Sequence, residues 1–256
     1  MDESIKRTVQ QQFGDHASDY VTSAIHAGGY SLGRLLELTD PQPGWRVLDV
    51  ATGGGHTALA FAPRVQQVVA ADITRDMLQA ARDHLHRQGA GNVTFCQADA
   101  EALPFPPGAF HCVTCRLAAH HFPNVIAFIR ESVRVLSAGG LLAVSDNVVS
   151  GEAKVARFVN LFEKLRDPSH SWAYTLEDWV SFFSSAGLEV VHREVVRKEM
   201  DFDGWAARMG VTGDTLTRLR VLLVQAPDEA RRWLRPRHVG DRLVFSIAEG
   251  IIVGRR

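Results

Sequence analysis

The stretch VLDVATGGGHTA, Val47–Ala58, decides the fold. Val47, Leu48 and Val50 surround a single carboxylate, Asp49, and the run then opens into three consecutive glycines. A short apolar run bounded by glycines reads as a buried strand. The HTALA that follows reads as the start of a helix. Glycines at such a strand-to-helix turn let a ligand approach the backbone closely.

Working outward, the same alternation repeats. Residues 67–72 (QVVAAD), 92–99 (NVTFCQAD), 110–117 (FHCVTCRL) and 141–149 (LLAVSDNVV) read as further strands. Helical patterns separate them at 74–89 and 124–140, the first with Thr74 as its expected N-cap. Ile126, Ile129, Val133 and Leu136 recur at helical spacing in the second, which is expected to run to Gly139–Gly140. Apolar strands alternating with helices predict a parallel sheet covered on both faces. In the second half, 151–165 and 175–187 read as helices, the latter capped by Thr175, with 188–200 as a sixth strand between them and a helical stretch over 201–235. Residues 241–256 read as the last strand.

Composition sets the outer limits. A chain of 256 residues fits one domain over 1–256, burying roughly 70–75% of its unfolded surface without a staple. Its expected parts are an N-terminal segment over 1–30, a core over 45–148, and helical insertions over 151–186 and 201–240 that cap a site. The net charge of −1 offers no basic field, so a nucleic-acid partner is not expected. The polar start MDESIKRTVQQQ lacks the apolar segment of a secretory leader, and no apolar run approaches the ~20 residues of a membrane span. A cytoplasmic location is the expectation. Cys112 and Cys115 form a C-x-x-C pair. On a strand, residues three apart face opposite ways, so a redox or metal role is disfavoured and no metal site is expected.

The glycine turn alone fits two ligands. Gly53, Gly55 and Ala58 match the dinucleotide pattern G-x-G-x-x-G/A, and Asp72 follows nineteen residues after Gly53, so a nicotinamide coenzyme and an oxidoreductase remain one reading. Asp49, four residues before Gly53, argues the other way, because a carboxylate repels a pyrophosphate and attracts an ammonium group. S-adenosyl-L-methionine carries an ammonium and a sulfonium. Asp72 can then accept from both ribose hydroxyls and Asp99 from the adenine amino group. Three strands in succession thus end in an acid, and in a parallel sheet those ends share the edge where ligands bind.

These residues resemble the class I S-adenosylmethionine-dependent methyltransferases, in the small-molecule branch that includes the ubiquinone/menaquinone biosynthesis enzymes. The carriers are VLDVATGGGHTA, VVAADITRDMLQAA, QADAEALPFPPGAFHCV, AAHHFPN and RVLSAGGLLAVSD, in that order, with FGDHASDYV before them. The resemblance implies an α/β, doubly wound, Rossmann-like seven-stranded sheet whose last strand is antiparallel, with helical cap insertions. It implies cofactor contacts at the turn (Ala51, Thr52, Gly53, Gly55), at Asp72 with Ile73 and Met77, and at Asp99 and Ala100. Three positions depart from the family pattern: Ala51 stands for a glycine, and His111 and Asn124 stand for aspartates.

Methyl transfer from a sulfonium needs no covalent nucleophile. Alignment does most of the work, worth ~7–11 kcal/mol. Non-catalytic cofactor binding remains a further reading. Where an oxygen or nitrogen acceptor must lose a proton, His120 or His121 is the expected base, with Asp146 orienting or balancing it. Arg116 is placed to meet the cofactor carboxylate, an acidic substrate group, or a structural carboxylate. Phe13, Ala17, Tyr20 and Ala24 share a helical face, which reads first as packing; the resemblance implies that this segment is a lid, with Tyr20 or His26 near the methionine tail. The loop RDPSHSWAYT (166–175), together with Trp205 and Met209, is expected to shape a pocket for a small-molecule acceptor, apolar or aromatic in part.

Overall fold

The computed structural model describes residues 2–15 and 29–256. The glycine-turn strand is β1 (Arg46–Val50), flanked by β2 (Gln67–Asp72) and β4 (Phe110–Arg116), with β3 (Val93–Gln97) outside β2. On the other side β5 (Leu136–Val148) pairs in parallel with β4. β8 (Arg242–Arg255) then runs antiparallel to β5 and to β6 (Glu189–Asp201). The order β3-β2-β1-β4-β5-β8-β6 contains the expected seven strands, and a short β7 (Arg237–Val239) hairpins onto β8 as an eighth.

Along the chain the helices are α1 (Asp2–Asp15), α2 (Tyr30–Thr39), α3 (His56–Phe61), α4 (Arg75–Arg87), α5 (Val125–Val135), α6 (Ala153–Arg166) and α7 (Leu176–Ser185). Three more, α8 (Phe202–Ala207), α9 (Gly213–Val224) and α10 (Asp228–Leu234), precede β7. Side chains alternate across β4, so Cys112 joins the core that includes Leu35, Phe61 and Leu85 on one face, while Cys115 joins that of Phe128, Trp179 and Phe183 on the other. The two thiols are free, and burial pushes both up, as a divergent C-x-x-C on a strand requires. A third core, built by α6, α8, α9 and α10 against the start of β8, holds Phe162, Trp205, Leu219 and Phe245. Among the described residues no helix is long and apolar enough to cross a membrane.

Local chemistry explains several boundaries. Thr175 and Asp178 form a reciprocal capping box at α7, with the Asp178 N–H donating to Thr175 Oγ1 (2.9 Å) and the Thr175 N–H to Asp178 Oδ2 (3.0 Å). Asn124 caps α5 by accepting from the Ala127 N–H at 3.0 Å, so it serves where the family's aspartate would. His111 accepts from the Arg46 N–H through Nδ1 at 3.0 Å and stacks on Trp45. Two expectations need correction. Thr74 occupies the cap position of α4 but makes no capping bond with its side chain; Asp72 Oδ1 takes the Thr74 N–H at 2.9 Å. And α5 stops at Val135, four residues before the glycines, because Leu136 turns extended, pairs with Phe110 and buries itself in the core.

The glycine turn itself is fixed by sterics. Ala51 has φ 53, a left-handed conformation that explains why the related enzymes prefer glycine there. Gly55 (φ 82) starts α3 against α4, where an added Cβ would lie 2.3 Å from Leu85 Cδ1 and 3.3 Å from Ala81 Cβ. Its lack of a side chain serves helix packing. Gly55→Ala is therefore expected to destabilise the protein by about 2–4 kcal/mol, the sum of left-handed strain and overpacking. A shift in the urea midpoint checks this; an unchanged midpoint contradicts it.

Candidate functional site

The carboxyl ends of β1, β2 and β4 open onto one cavity at the edge of the sheet where ligands bind in such folds. Its floor is the turn at Ala51, Thr52 and Gly53, closed by Thr52 N–H to Ala71 O (2.9 Å) and Gly55 N–H to Thr52 O (2.9 Å). Gly53 (φ 54) has nothing within 4 Å of the place where a Cβ would stand, so the backbone lies open to a ligand. Asp72, Ile73 and Met77 form one wall, Asp99 and Ala100 the next, and Arg116 and His121 border the end beyond β4.

Asp72 is buried and accepts from the Gly53 N–H through Oδ2 (3.0 Å) and from the Thr74 N–H through Oδ1 (2.9 Å). Burial pushes its carboxyl up despite these bonds. Each oxygen keeps capacity for another donor, as a ribose diol requires. Asp99 is tied differently. Its Oδ1 accepts from the Glu101 N–H (2.9 Å), and Oδ2 pairs with Lys6 Nζ at 2.6 Å. Lys6 also meets Glu101 Oε2 at 2.7 Å, and the two carboxylates raise its ammonium despite partial desolvation. Lys6 belongs to α1, which roofs the cavity: Gln10 donates to Ile73 O at 3.1 Å, and the Phe13 ring stands edge-on to His121 at 4.9 Å.

Several expected site residues lie elsewhere. Asp49 does not line the cavity. It sits one layer below, accepting from Thr52 Oγ1 (2.6 Å) and Thr114 Oγ1 (2.8 Å), and burial pushes it up to about 6. Gly55 does not line it either, for the packing reason given above. His120 and Asp146 are buried behind the wall and bonded to each other, Nδ1 donating to Oδ1 at 2.5 Å and the His120 N–H to Oδ2 at 2.7 Å. Burial pulls the His120 imidazole down, but Asp146 more than offsets it and leaves it above its ordinary value. Asp146 therefore holds His120 and not the histidine at the cavity. Arg116 Nε donates to Thr57 Oγ1 at 3.1 Å, and burial lowers its guanidinium. Trp205 is a core residue, stacked on Phe162 at 5.0 Å and covered by the Arg166 guanidinium, and Met209 is buried nearby. Neither borders the cavity. Ala17, Tyr20, Ala24 and His26 lie outside the described residues.

Sequence reasoning missed Lys6, whose partnership with Asp99 and Glu101 joins residues far apart in the chain. It expected the 166–175 loop at the acceptor pocket, with no separate roles for Asp167, Ser169 and His170, but no residue of that loop borders the cavity. That loop docks on the histidine turn through the Ser171 and Trp172 N–H groups, both donating to His120 O (2.8 and 3.0 Å). His170 is buried, with Nε2 donating to Asn160 Oδ1 at 2.8 Å. Burial, then the nearby His120 and His121, push it down to about 2. In the unfolded chain it titrates near ~6.5. The unfolded state thus takes up the proton first, and His170 contributes stability that is whole above pH ~6.5 and lost as the pH falls. His170→Gln, which keeps a donor for Asn160, is expected to lose less stability between pH 7 and pH 4 than the parent protein. Denaturant melts at both pH values measure this; equal losses contradict it.

With this geometry in place, comparisons with known proteins are informative. The methyltransferase domain family matches residues 48–144. The uncharacterized methyltransferase YcgJ of Bacillus subtilis is 36% identical over 224 residues, covering 88% of each chain. The crystal structure of the YcgJ protein superposes with a TM-score of 0.83 at 34% identity, over 89% of this chain and 98% of that one. The ubiquinone/menaquinone biosynthesis C-methyltransferase UbiE of Pseudomonas putida is 41% identical over 132 residues, about half of either chain (49% and 52%). Relationship along nearly the whole length, a shared sheet, and an acid-walled cavity over the glycine turn lead to one conclusion: the chain belongs to the S-adenosylmethionine-dependent methyltransferases.

Proposed function

We infer that the protein moves the methyl group of S-adenosyl-L-methionine onto a small, partly apolar or aromatic acceptor, with His121 as the base where the acceptor carries a proton. One observation carries this reading: a single cavity is bordered at one side by Asp72 and the open Gly53 backbone, and at the other by His121. The adenosine half belongs against Asp72, Ile73, Met77 and Ala100. The methionine half belongs over Ala51, Thr52 and Gly53, toward Arg116. The apolar Phe13, Leu117 and Phe122 near His121 suit an apolar or aromatic acceptor.

The reaction is an in-line displacement. When bound against Asp72 and the 51–53 turn, the cofactor would supply an activated methyl group, its S–CH₃ bond breaking toward sulfur as the acceptor atom bonds the carbon, and His121 would take the acceptor proton. Burial, then the nearby His120, push His121 down to about 4, so it is a neutral acceptor of protons at pH 7. Asp49, held one layer below by Thr52, places negative charge under the end of the cavity that would receive the ammonium.

Three measurements test this. A screen of quinols, phenols, amines and hydroxylated metabolites should release S-adenosylhomocysteine with at least one class; release with none removes the acceptor assignment. Asp72→Asn should weaken cofactor binding roughly ten- to a hundredfold, the worth of a charge-assisted hydrogen bond, as read by calorimetry. With a responding acceptor, His121→Gln should lower kcat about a hundredfold or more with cofactor affinity unchanged; an unaltered kcat refutes the assignment of the base.

A further inference from the structure

The loop between α6 and α7 is wired to His121 in a way that fixes which nitrogen carries the proton. His121 Nδ1 lies 3.1 Å from Ser169 O and 3.2 Å from Ser169 Oγ. A backbone carbonyl only accepts. The one proton of the Ser169 hydroxyl is committed to Asp167 Oδ1 at 2.5 Å. Nδ1 must therefore be the protonated nitrogen, which leaves the lone pair on Nε2. Asp167 completes the arrangement. Its Oδ1 also accepts from the Ser169 N–H at 2.8 Å, which locks the carboxylate in place, and its Oδ2 stands 4.0 Å from His121 Nε2. Both Asp167 and Ser169 are buried, so the arrangement is shielded from solvent.

We propose that Asp167 and Ser169 are positioning residues for His121: Ser169 selects the Nδ1–H tautomer, and Asp167 supplies the counter-charge for the imidazolium that forms when Nε2 takes up a proton. The role in turnover rests on the reading of His121 as the acceptor's base. Methyl transfer from a bound sulfonium would remove the donor's positive charge, and His121 Nε2 would take up the proton released by the acceptor. One positive charge thus leaves sulfur and one appears on His121, 4.0 Å from a carboxylate already aligned to receive it. The other titratable groups near His121 are His120, its ring tilted at 4.1 Å, His170 beyond that ring, and Asp146 behind it. His120 disfavours the imidazolium and Asp146 favours it, so Asp167 is the carboxylate that acts on His121 without being bonded to the neighbouring ring.

The test needs neither acceptor nor methyl donor. Long-range ¹H–¹⁵N correlation spectra of the ¹⁵N-histidine-labelled full chain, assigned with His121→Gln, report the tautomer directly. The expected result at pH 7.5 is an Nδ1–H tautomer for His121, with the Nε2 resonance moving toward the imidazolium position as the pH falls to 5. In Asp167→Asn the protonated fraction at pH 5 should drop roughly tenfold, the effect of removing one opposite charge at this range. Ser169→Ala, which keeps the loop carbonyl but releases the carboxylate, should fall between the two and serves if the asparagine variant does not fold. An Nε2–H tautomer in the parent protein, or an unchanged pH response in the folded variants, overturns the proposal. If the spectra match but no acceptor is methylated, the fault lies with the assigned function and not with the wiring of His121.

Discussion

The site depends on one buried carboxylate. Asp72 ends β2 and reaches back to the Gly53 N–H of the turn after β1, while its other oxygen holds the Thr74 N–H at the entrance to α4. Two loops that are separate in the chain are thereby fixed to one another. The same group is left buried with unused acceptor capacity facing the cavity. A carboxylate in that position is costly unless its oxygens are well supplied with donors, and a ribose diol supplies two. The bonds that join the two loops thus also set the chemistry of the cavity wall.

The three acids that end β1, β2 and the segment after β3 do different work. Asp72 faces the ligand space. Asp49 is withdrawn beneath Thr52 and bonded to two hydroxyls, so its charge acts through the floor. Asp99 is half occupied by Lys6 of α1, which makes the roof part of the electrostatics of the site. The three strand-end acids thus do not form one uniform rim: Asp72 borders the cavity, Asp49 lies beneath its floor, and Asp99 is shared with the helix that covers it. The two histidines divide similarly. His120 is tied to Asp146 and fixes the turn, and His121 is turned to the cavity and steadied by the 167–169 loop.

Much of this was legible in the sequence. The parallel sheet followed from the alternation of apolar strands with helices, and the divergence of Cys112 and Cys115 followed from strand periodicity alone. The cap at Thr175 followed from local chemistry and Asp72 and Asp99 from strand ends, while most of the remaining cavity wall followed from the resemblance to the methyltransferases. What escaped had non-local causes. Val135 ends α5 because Leu136 pairs with Phe110, a contact between strands that no local propensity encodes. Lys6 finds Asp99 and Glu101 only once α1 lies across the sheet edge. Asp167 and Ser169 sat in a loop read as pocket lining, and their bonding appears only when that loop packs on His120 and His121. Trp205 and Met209 looked like pocket residues, but α6, α8, α9 and α10 gather enough apolar surface to form a core of their own around Trp205, and Met209 is buried away from the cavity.

The most direct measurement is a crystal structure of the protein with S-adenosylhomocysteine. The account predicts both ribose hydroxyls within hydrogen-bond distance of the Asp72 carboxylate, the amino-acid tail over the 51–53 turn, and His121 facing the sulfur end. Ribose density away from Asp72, or the tail at the opposite end of the cavity, would contradict it.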